Sequence, residues 1–460
     1  MAGIGLRLQS VISKGTYLQS LTAYLSSAVI SSGPWLSSVI ALSVLSTSVV
    51  TFLSTDARLL LFATITYAFG VSLIASGAPQ MVLTRYLADR LYAGDTSKIA
   101  ATCSGMLVAV APLTVLTLPY LIFAPFPLLY RLLSVSLAIT LTYIWLVVVF
   151  LSAGRDYVRI LLIFVFAYSL SVASIVVLGR SFGLIGSLGG FLLGQVVCLA
   201  LLIARVLREF SPIDGIDFGF LRSIGGYWDL GLIGLLYGVG IWADNVVFWF
   251  APSGVTVAHF FHLNPVYDSA KLIAYLCTIP ASTSFLVHLE SNFYRHYRDY
   301  FKHIRERGTL AQIIEHKDGM AEAAQSGLVR ITLIQGSVGA SVFLLAPNLA
   351  RALHASAPWV GTLRILTVGV SVQIVMLAVF ILLLYLDERR PALAVVATFT
   401  ALSLGGSLVA LPLGPGFFGL GYVLGAVVAT FMGVLFLADR LRRLDFLTFM
   451  AQPLPRPGRT

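Results

Sequence analysis

The chain has 460 residues, of which 58% are hydrophobic and 11% charged, where soluble domains carry roughly 25% charged residues. That composition excludes a soluble globular protein and points to repeated crossing of a bilayer. Spans of about 20 apolar residues cross as helices, whereas barrel strands would give roughly ten-residue alternating segments, so the expected fold class is all-α polytopic.

The start, MAGIGLRLQS, is too polar for a cleavable signal peptide and runs into a full span, so the N-terminus is expected to be retained. Twelve spans are predicted, near 18–50, 58–84, 99–122, 130–152, 157–179, 184–207, 227–250, 265–289, 328–346, 360–386, 391–411 and 417–438. The first contains SSGPW (31–35), which predicts a break or kink at Pro34, because proline cannot donate a backbone hydrogen bond. The glycines of LIGSLGGFLLG (184–194) lie in a span, where small residues let helices approach. No GxxxxGK[ST] phosphate loop occurs, so ATP hydrolysis is not expected, and no enzyme activity or cofactor is assigned. Cys103, Cys198 and Cys277 are isolated in apolar helices and read as small core residues.

Residues 208–226 separate six spans from six. The expected organisation is an N-terminal half (1–207), a cytoplasmic linker (208–226), a C-terminal half (227–440) and a tail (441–460). The acidic residues in IDGIDFG (213–219) read as a turn. An even number of spans in each half makes the halves parallel repeats, an arrangement found in secondary transporters with a substrate path between them. With the N-terminus in the cytoplasm, most Lys and Arg fall inside, among them Arg85, Arg90, Arg155, Arg389 and Arg440. Only Arg58, Arg131, Arg180, Arg351 and Arg364 fall at outer ends. Both termini are then cytoplasmic, and the net charge of +10 is a topology signal with affinity for anionic lipid rather than for nucleic acid.

Within the seventh span, GIWADNVVFWF (240–250), an acid and an amide stand in an apolar run. An ion at mid-bilayer costs at least about 2.5–3.5 kcal/mol, so it faces a partner or water. Asp268 and Lys271, at the start of the eighth span, reach a similar depth in the outer half of the membrane. They stand three apart, a spacing that permits a direct pair. Asp244, Asn245, Asp268 and Lys271 therefore read as one polar cluster lining a water-accessible cavity. Two other readings stay open: an ion pair that only fixes helix register, and a cation- or proton-coupling site. Tyr67, Tyr237, Trp242, Tyr267 and Tyr275 are candidates for lining a substrate path, against the ordinary alternative of helix packing and interface belts. His259 and His262 have metal-like spacing without a nearby third ligand, and no metal is assigned.

Segment 290–326 begins ESNFYRHYRDYFKHIRERG. Phe293, Tyr297, Tyr300, Phe301 and Ile304 recur at helical spacing while Arg295, Arg298, Lys302 and Arg305 take other faces. This basic amphipathic helix suits either the membrane surface or a cytosolic partner, with Phe293, Tyr297, Phe301 and Ile304 as the anchor and Arg298 and Lys302 steering encounter.

MAGIG, SSGPW, IWADNVVFWF and NPVYDSAKLIAYLCTIP, running on to FLVHLESNFYRHYRDYF, resemble the PelG family of Pel exopolysaccharide exporters, related to the MOP flippases. The resemblance covers essentially the whole chain. It implies a bacterial inner-membrane transporter of two six-helix halves, moving a cationic, N-acetylgalactosamine-rich polymer. It also implies a PelF-like cytosolic glycosyltransferase, a PelD-like cyclic di-GMP sensor and a PelE-like membrane partner. In that family a basic residue often follows the position of Asp244; Asn245 stands there in this chain, which makes Lys271 the expected counter-charge. The alternatives are an ion-coupled exporter or flippase of lipid-linked oligosaccharide or small molecules, and, more distantly, a membrane scaffold for a synthase.

Overall fold

The computed structural model describes residues 17–154, 157–210 and 215–450; MAGIG, Arg155, Asp214 and the end of the tail lie outside these residues. The N-terminal half contains α1 (Tyr17–Ser48), α2 (Thr55–Tyr92), α3 (Ile99–Val110), α4 (Leu118–Phe123), α5 (Leu128–Ala153) and α6 (Tyr157–Glu209). A short α7 (Gly219–Ile224) leads to α8 (Trp228–Trp249), a hairpin of β1 (Val255–Val257) and β2 (Phe261–Leu263), α9 (Pro265–Leu276), α10 (Ile279–Ser284) and α11 (Ser291–Arg305). Then come α12 (Leu310–Ala352), α13 (Ala357–Tyr385), α14 (Arg389–Ala410), α15 (Leu420–Arg442) and α16 (Leu444–Phe449).

Among the described residues, eleven helical stretches are long and apolar enough to cross a membrane. One of them, α6, is two spans in a single run of 53 residues, because Gly183 leaves helical geometry at φ 60°, ψ −134°. Glycine reaches that region because it has no Cβ. Counted so, the twelve expected spans are present. The expected break at Pro34 is not: α1 stays helical across it. Proline removes one hydrogen bond, and nearby hydroxyls occupy neighbouring carbonyls, Ser37 donating to Gly33 (2.8 Å) and Ser38 to Trp35 (2.7 Å).

Among the described residues, burial of the apolar faces produces two large cores, one drawn from residues between Ala41 and Phe220 and the other from residues between Leu230 and Leu444, and a small third one of Ala63, Trp249, Val257, Phe261 and Leu263. The halves meet along α2 and α8, where a Cβ on Gly234 would lie 2.0 Å from the Gly77 carbonyl oxygen. Only glycine at both positions permits that approach. The linker is fastened to the N-terminal half. The Asp217 N–H donates to the Ala101 carbonyl (3.1 Å), and its carboxylate accepts from Gly219 N–H (3.0 Å), Thr102 (3.1 Å) and Tyr86 (3.2 Å). Burial pushes this carboxyl up, but those hydrogen bonds and the Arg90 charge outweigh it and hold it below the ordinary value of 3.8.

The amphipathic segment differs from expectation. Residues 310–327 form the first turns of α12, which folds back along α11. The turn is set by a capping box in which Thr309 and Gln312 satisfy each other's backbone N–H. Phe293 and Tyr300 are fully buried, and Tyr297, Phe301 and Ile304 are half-buried against the chain's own core. The aromatic stripe is therefore spent within the protein, and Phe293 is not free to anchor a partner. Exposed on α11 are the charges, including Arg298, paired with Asp299 (2.8 Å), and Lys302 near Glu306 (4.0 Å).

Candidate functional site

The site is built at the corner where α8 passes through the hairpin into α9. Asn264 caps α9: its side-chain oxygen accepts from the Tyr267 N–H (3.2 Å), and Pro265 occupies the first helical turn, where its missing donor costs nothing. The Asn264 amide also donates to the Phe248 carbonyl (3.1 Å) and to Ser253 (3.2 Å), tying the start of α9 to the end of α8. This fixes Tyr267, Asp268 and Lys271 opposite Asp244 and Asn245.

The Lys271 ammonium donates to both Asp244 oxygens (2.6 and 2.8 Å), to the Asn245 side-chain oxygen (2.6 Å) and to the Ile241 carbonyl (2.7 Å). It also lies 4.8 Å from the centre of the Tyr422 ring. The Tyr267 hydroxyl donates to Asp244. The Asn245 amide donates to Asp268 (2.7 Å), which further accepts from Trp249 Nε1 (3.0 Å) and the Asn264 N–H (3.3 Å). All four expected residues thus belong to one network, and Lys271 pairs with Asp244; the i, i+3 neighbour Asp268 is reached through Asn245. Asp244 is 0% and Lys271 4% exposed. The expected water-accessible space is therefore closed around the pair, sealed by Tyr267, Tyr422 and the α8 backbone. Asp244 takes the ammonium, and the second carboxyl of the network, Asp268, is held by N–H donors and has no cation of its own.

From Asp268 the network reaches the seam between the halves in one step. Trp249 stacks on Tyr67 of α2 at 4.6 Å, and the Tyr67 hydroxyl donates to the His262 carbonyl (3.0 Å) and accepts from its N–H (3.2 Å). Phe261 stacks on Phe126 (5.7 Å), so the hairpin of the C-terminal half lies on the N-terminal half. Trp242 packs against Gly70 of α2, where a Cβ would touch its ring at 3.3 Å. At the other end of the seam the contacts are polar: Tyr227 donates to Asp89 (2.7 Å), Arg85 lies 3.6 Å from Asp387, and Arg305 donates to Tyr92 (2.6 Å).

The remaining candidates divide. Tyr275 bonds Tyr422 across α9 and α15 (2.7 Å), and Tyr237 accepts from Gln373 (2.7 Å), so both serve the C-terminal core. His262 bonds Thr256 (3.2 Å), and His259 sits in the hairpin turn at φ 56°. Trp249, Asn264 and Tyr422 are site residues that sequence reasoning missed. Asn264 before Pro265 carries a helix-start signature, and Trp249 follows Asn245 by one helical turn. Tyr422 comes from the twelfth span and has no local signal.

Comparison with known proteins matches a family model over residues 1–449: PelG, described as an exopolysaccharide exporter (EPS-E). The chain belongs to the PelG family. Membership makes it a membrane exporter and not an enzyme. Among solved structures, the chain is similar to an outward-facing multidrug resistance MATE family transporter of the MOP superfamily (TM-score 0.67, 17% identity, 96% of this chain and 98% of that one). It is also similar to a MOP superfamily transporter from Pyrococcus furiosus (0.61, 16%, 96% and 98%) and to an inward-facing MATE transporter (0.58, 18%, 96% and 99%). At these identities the likeness establishes the MOP fold. No curated protein matches the chain.

Proposed function

We propose that the chain carries a Pel-like, N-acetylgalactosamine-rich polysaccharide across the bacterial cytoplasmic membrane, with both termini in the cytoplasm. A PelF-like glycosyltransferase supplies the polymer, and PelD-like and PelE-like membrane partners assist. The family match over 1–449 supports the exporter reading. One structural observation supports a mechanism: the buried cluster is joined to the seam between the halves through Asp268 and Trp249. Opening the hairpin end requires Trp249 and Tyr67 to part, and any change in the charge at Asp268 alters how Trp249 is held. The Asp268 carboxyl, which has no cation of its own, favours a cationic polymer approaching that end. Transport then draws on polymer elongation, with the halves rocking about the linker. The exposed basic face of α11, with Arg298 and Lys302, is the surface offered to the synthase.

The buried Asp–Lys cluster also favours a second reading, an ion-coupled MOP-type exporter or flippase of lipid-linked oligosaccharide or small molecules. The test is reconstitution. Purified protein in liposomes with its synthase and sugar nucleotide should accumulate polymer in the trans compartment without an imposed ion gradient. Transport by the protein alone, driven by a proton or sodium gradient, would overturn the elongation-driven reading.

A further inference from the structure

Only 17% of the apolar window of α12 is buried, and a groove of about 830 Å³ runs between this helix, α13 and α15. Its walls are apolar and open, with Val329 54%, Leu333 66% and Val434 41% exposed, while Leu437 closes the floor. Beyond Thr332 and Val375 it continues into a second hollow of about 660 Å³. From Lys317 to Leu333 the helix rises about 24 Å, close to the roughly 20–22 Å of one leaflet with its headgroups.

The mouth of this groove carries Lys317, Asp318 and Arg442. Lys317 is held there by Asp445. Asp318 and Arg442, one carboxylate and one guanidinium, have no ion-pair partner among the described residues. A single unpaired charge of each sign above an apolar, leaflet-long slot matches a zwitterion with an acyl tail. We propose that the groove is a specific site for one aminophospholipid of the phosphatidylethanolamine class. The phosphate sits against Arg442, whose planar fork suits it, with Lys317 beside it. The primary ammonium donates to Asp318, and an acyl chain lies along Val329, Leu333 and Leu437. Phosphatidylcholine, with a methylated nitrogen, has no N–H to give Asp318, and phosphatidylglycerol places net negative charge beside it. The proposal is independent of what the protein exports.

The test is native mass spectrometry of the purified full chain after equilibration with equal amounts of phosphatidylethanolamine, phosphatidylcholine and phosphatidylglycerol. Phosphatidylethanolamine should be retained about tenfold over either of the others, the worth of one charge-assisted hydrogen bond. Asp318→Asn should erase that preference, and Arg442→Gln should lower retention of all three. Val329→Trp should fill the slot and strip the retained lipid. Both polar substitutions sit on the surface, so the outcome stands even if the tryptophan variant does not fold. Equal retention of phosphatidylethanolamine and phosphatidylcholine by the unaltered protein, or an undiminished preference in Asp318→Asn, would overturn it.

Discussion

The two halves share a six-helix plan but not their chemistry. Among the described residues, the buried polar side chains of the N-terminal half are uncharged: serines, threonines and Gln195, whose amide donates to Ser171 (3.1 Å). The C-terminal half buries Asp229, Asp244 and Lys271. Six spans evidently pack into a MOP half with hydroxyls and close glycine contacts, so the architecture does not require an ion pair. A buried pair is in general no more stabilising than apolar residues of the same volume. We therefore propose that the Asp244–Lys271 pair serves what that half does rather than what holds it together.

If so, taking one partner away from the pair should cost far more than anything comparable in the other half. Lys271→Met leaves Asp244 buried without a counter-charge and should lose about 3–5 kcal/mol, read as a large drop in melting temperature in detergent or as failure to accumulate. A loss under about 1 kcal/mol would mean that the pair does not hold α8 and α9 together. The seam should be the next most sensitive place. Gly234→Ala puts a Cβ on the Gly77 backbone and should cost about 1–3 kcal/mol. Gly231→Ala, where the nearest atom is 3.6 Å away, should be tolerated in the same melting assay.

A matched pair of tryptophans compares the halves directly. Trp249 donates to the Asp268 carboxylate (3.0 Å), and Trp145 donates to the Ser72 hydroxyl (3.1 Å). Bonds to charged acceptors are worth about 1.5–3 kcal/mol and neutral ones about 0.5–1.5, so Trp249→Phe should shift the melting temperature more than Trp145→Phe. The smallest effect concerns the linker. Because the folded Asp217 carboxyl is held below its ordinary value, its contribution is present above that value and is lost as pH falls through the folded one. It is partly exposed, so about 1 kcal/mol or less is expected. Asp217→Asn should flatten the acid limb of a melting-temperature profile and leave neutral pH almost unchanged.

Much of this was legible before any coordinates. Apolar runs marked the spans, and matched depth on consecutive spans brought Asp244 and Lys271 together. What stayed hidden depends on tertiary placement. Tyr422 arrives beside Lys271 from 151 residues further along the chain. The fold-back of α12 onto α11 buried Phe293 and Tyr300 of a stripe expected at the membrane surface or on a partner, since amphipathic spacing says that a face is covered but not by what. Closure of the cluster was equally invisible, because an intramembrane charge reads alike whether it meets water or a fully bonded network. The i, i+3 spacing of Asp268 and Lys271 suggested a direct pair, but hydrogen bonding to Asp244 and the Ile241 carbonyl draws the ammonium toward α8.

The decisive experiment removes both charges at once. Asp244→Leu with Lys271→Met replaces the pair by apolar side chains and leaves the Tyr267 hydroxyl without its acceptor, at a cost of about 1–3 kcal/mol, so the double variant should stay folded and lose less than Lys271→Met. Secreted polymer, measured in cells whose own copy has been deleted, should nevertheless fall at least about tenfold, equivalent to about 1.4 kcal/mol on the transport step. A double variant that folds and secretes at the level of the unaltered protein would contradict a functional role for the cluster and leave it as packing alone.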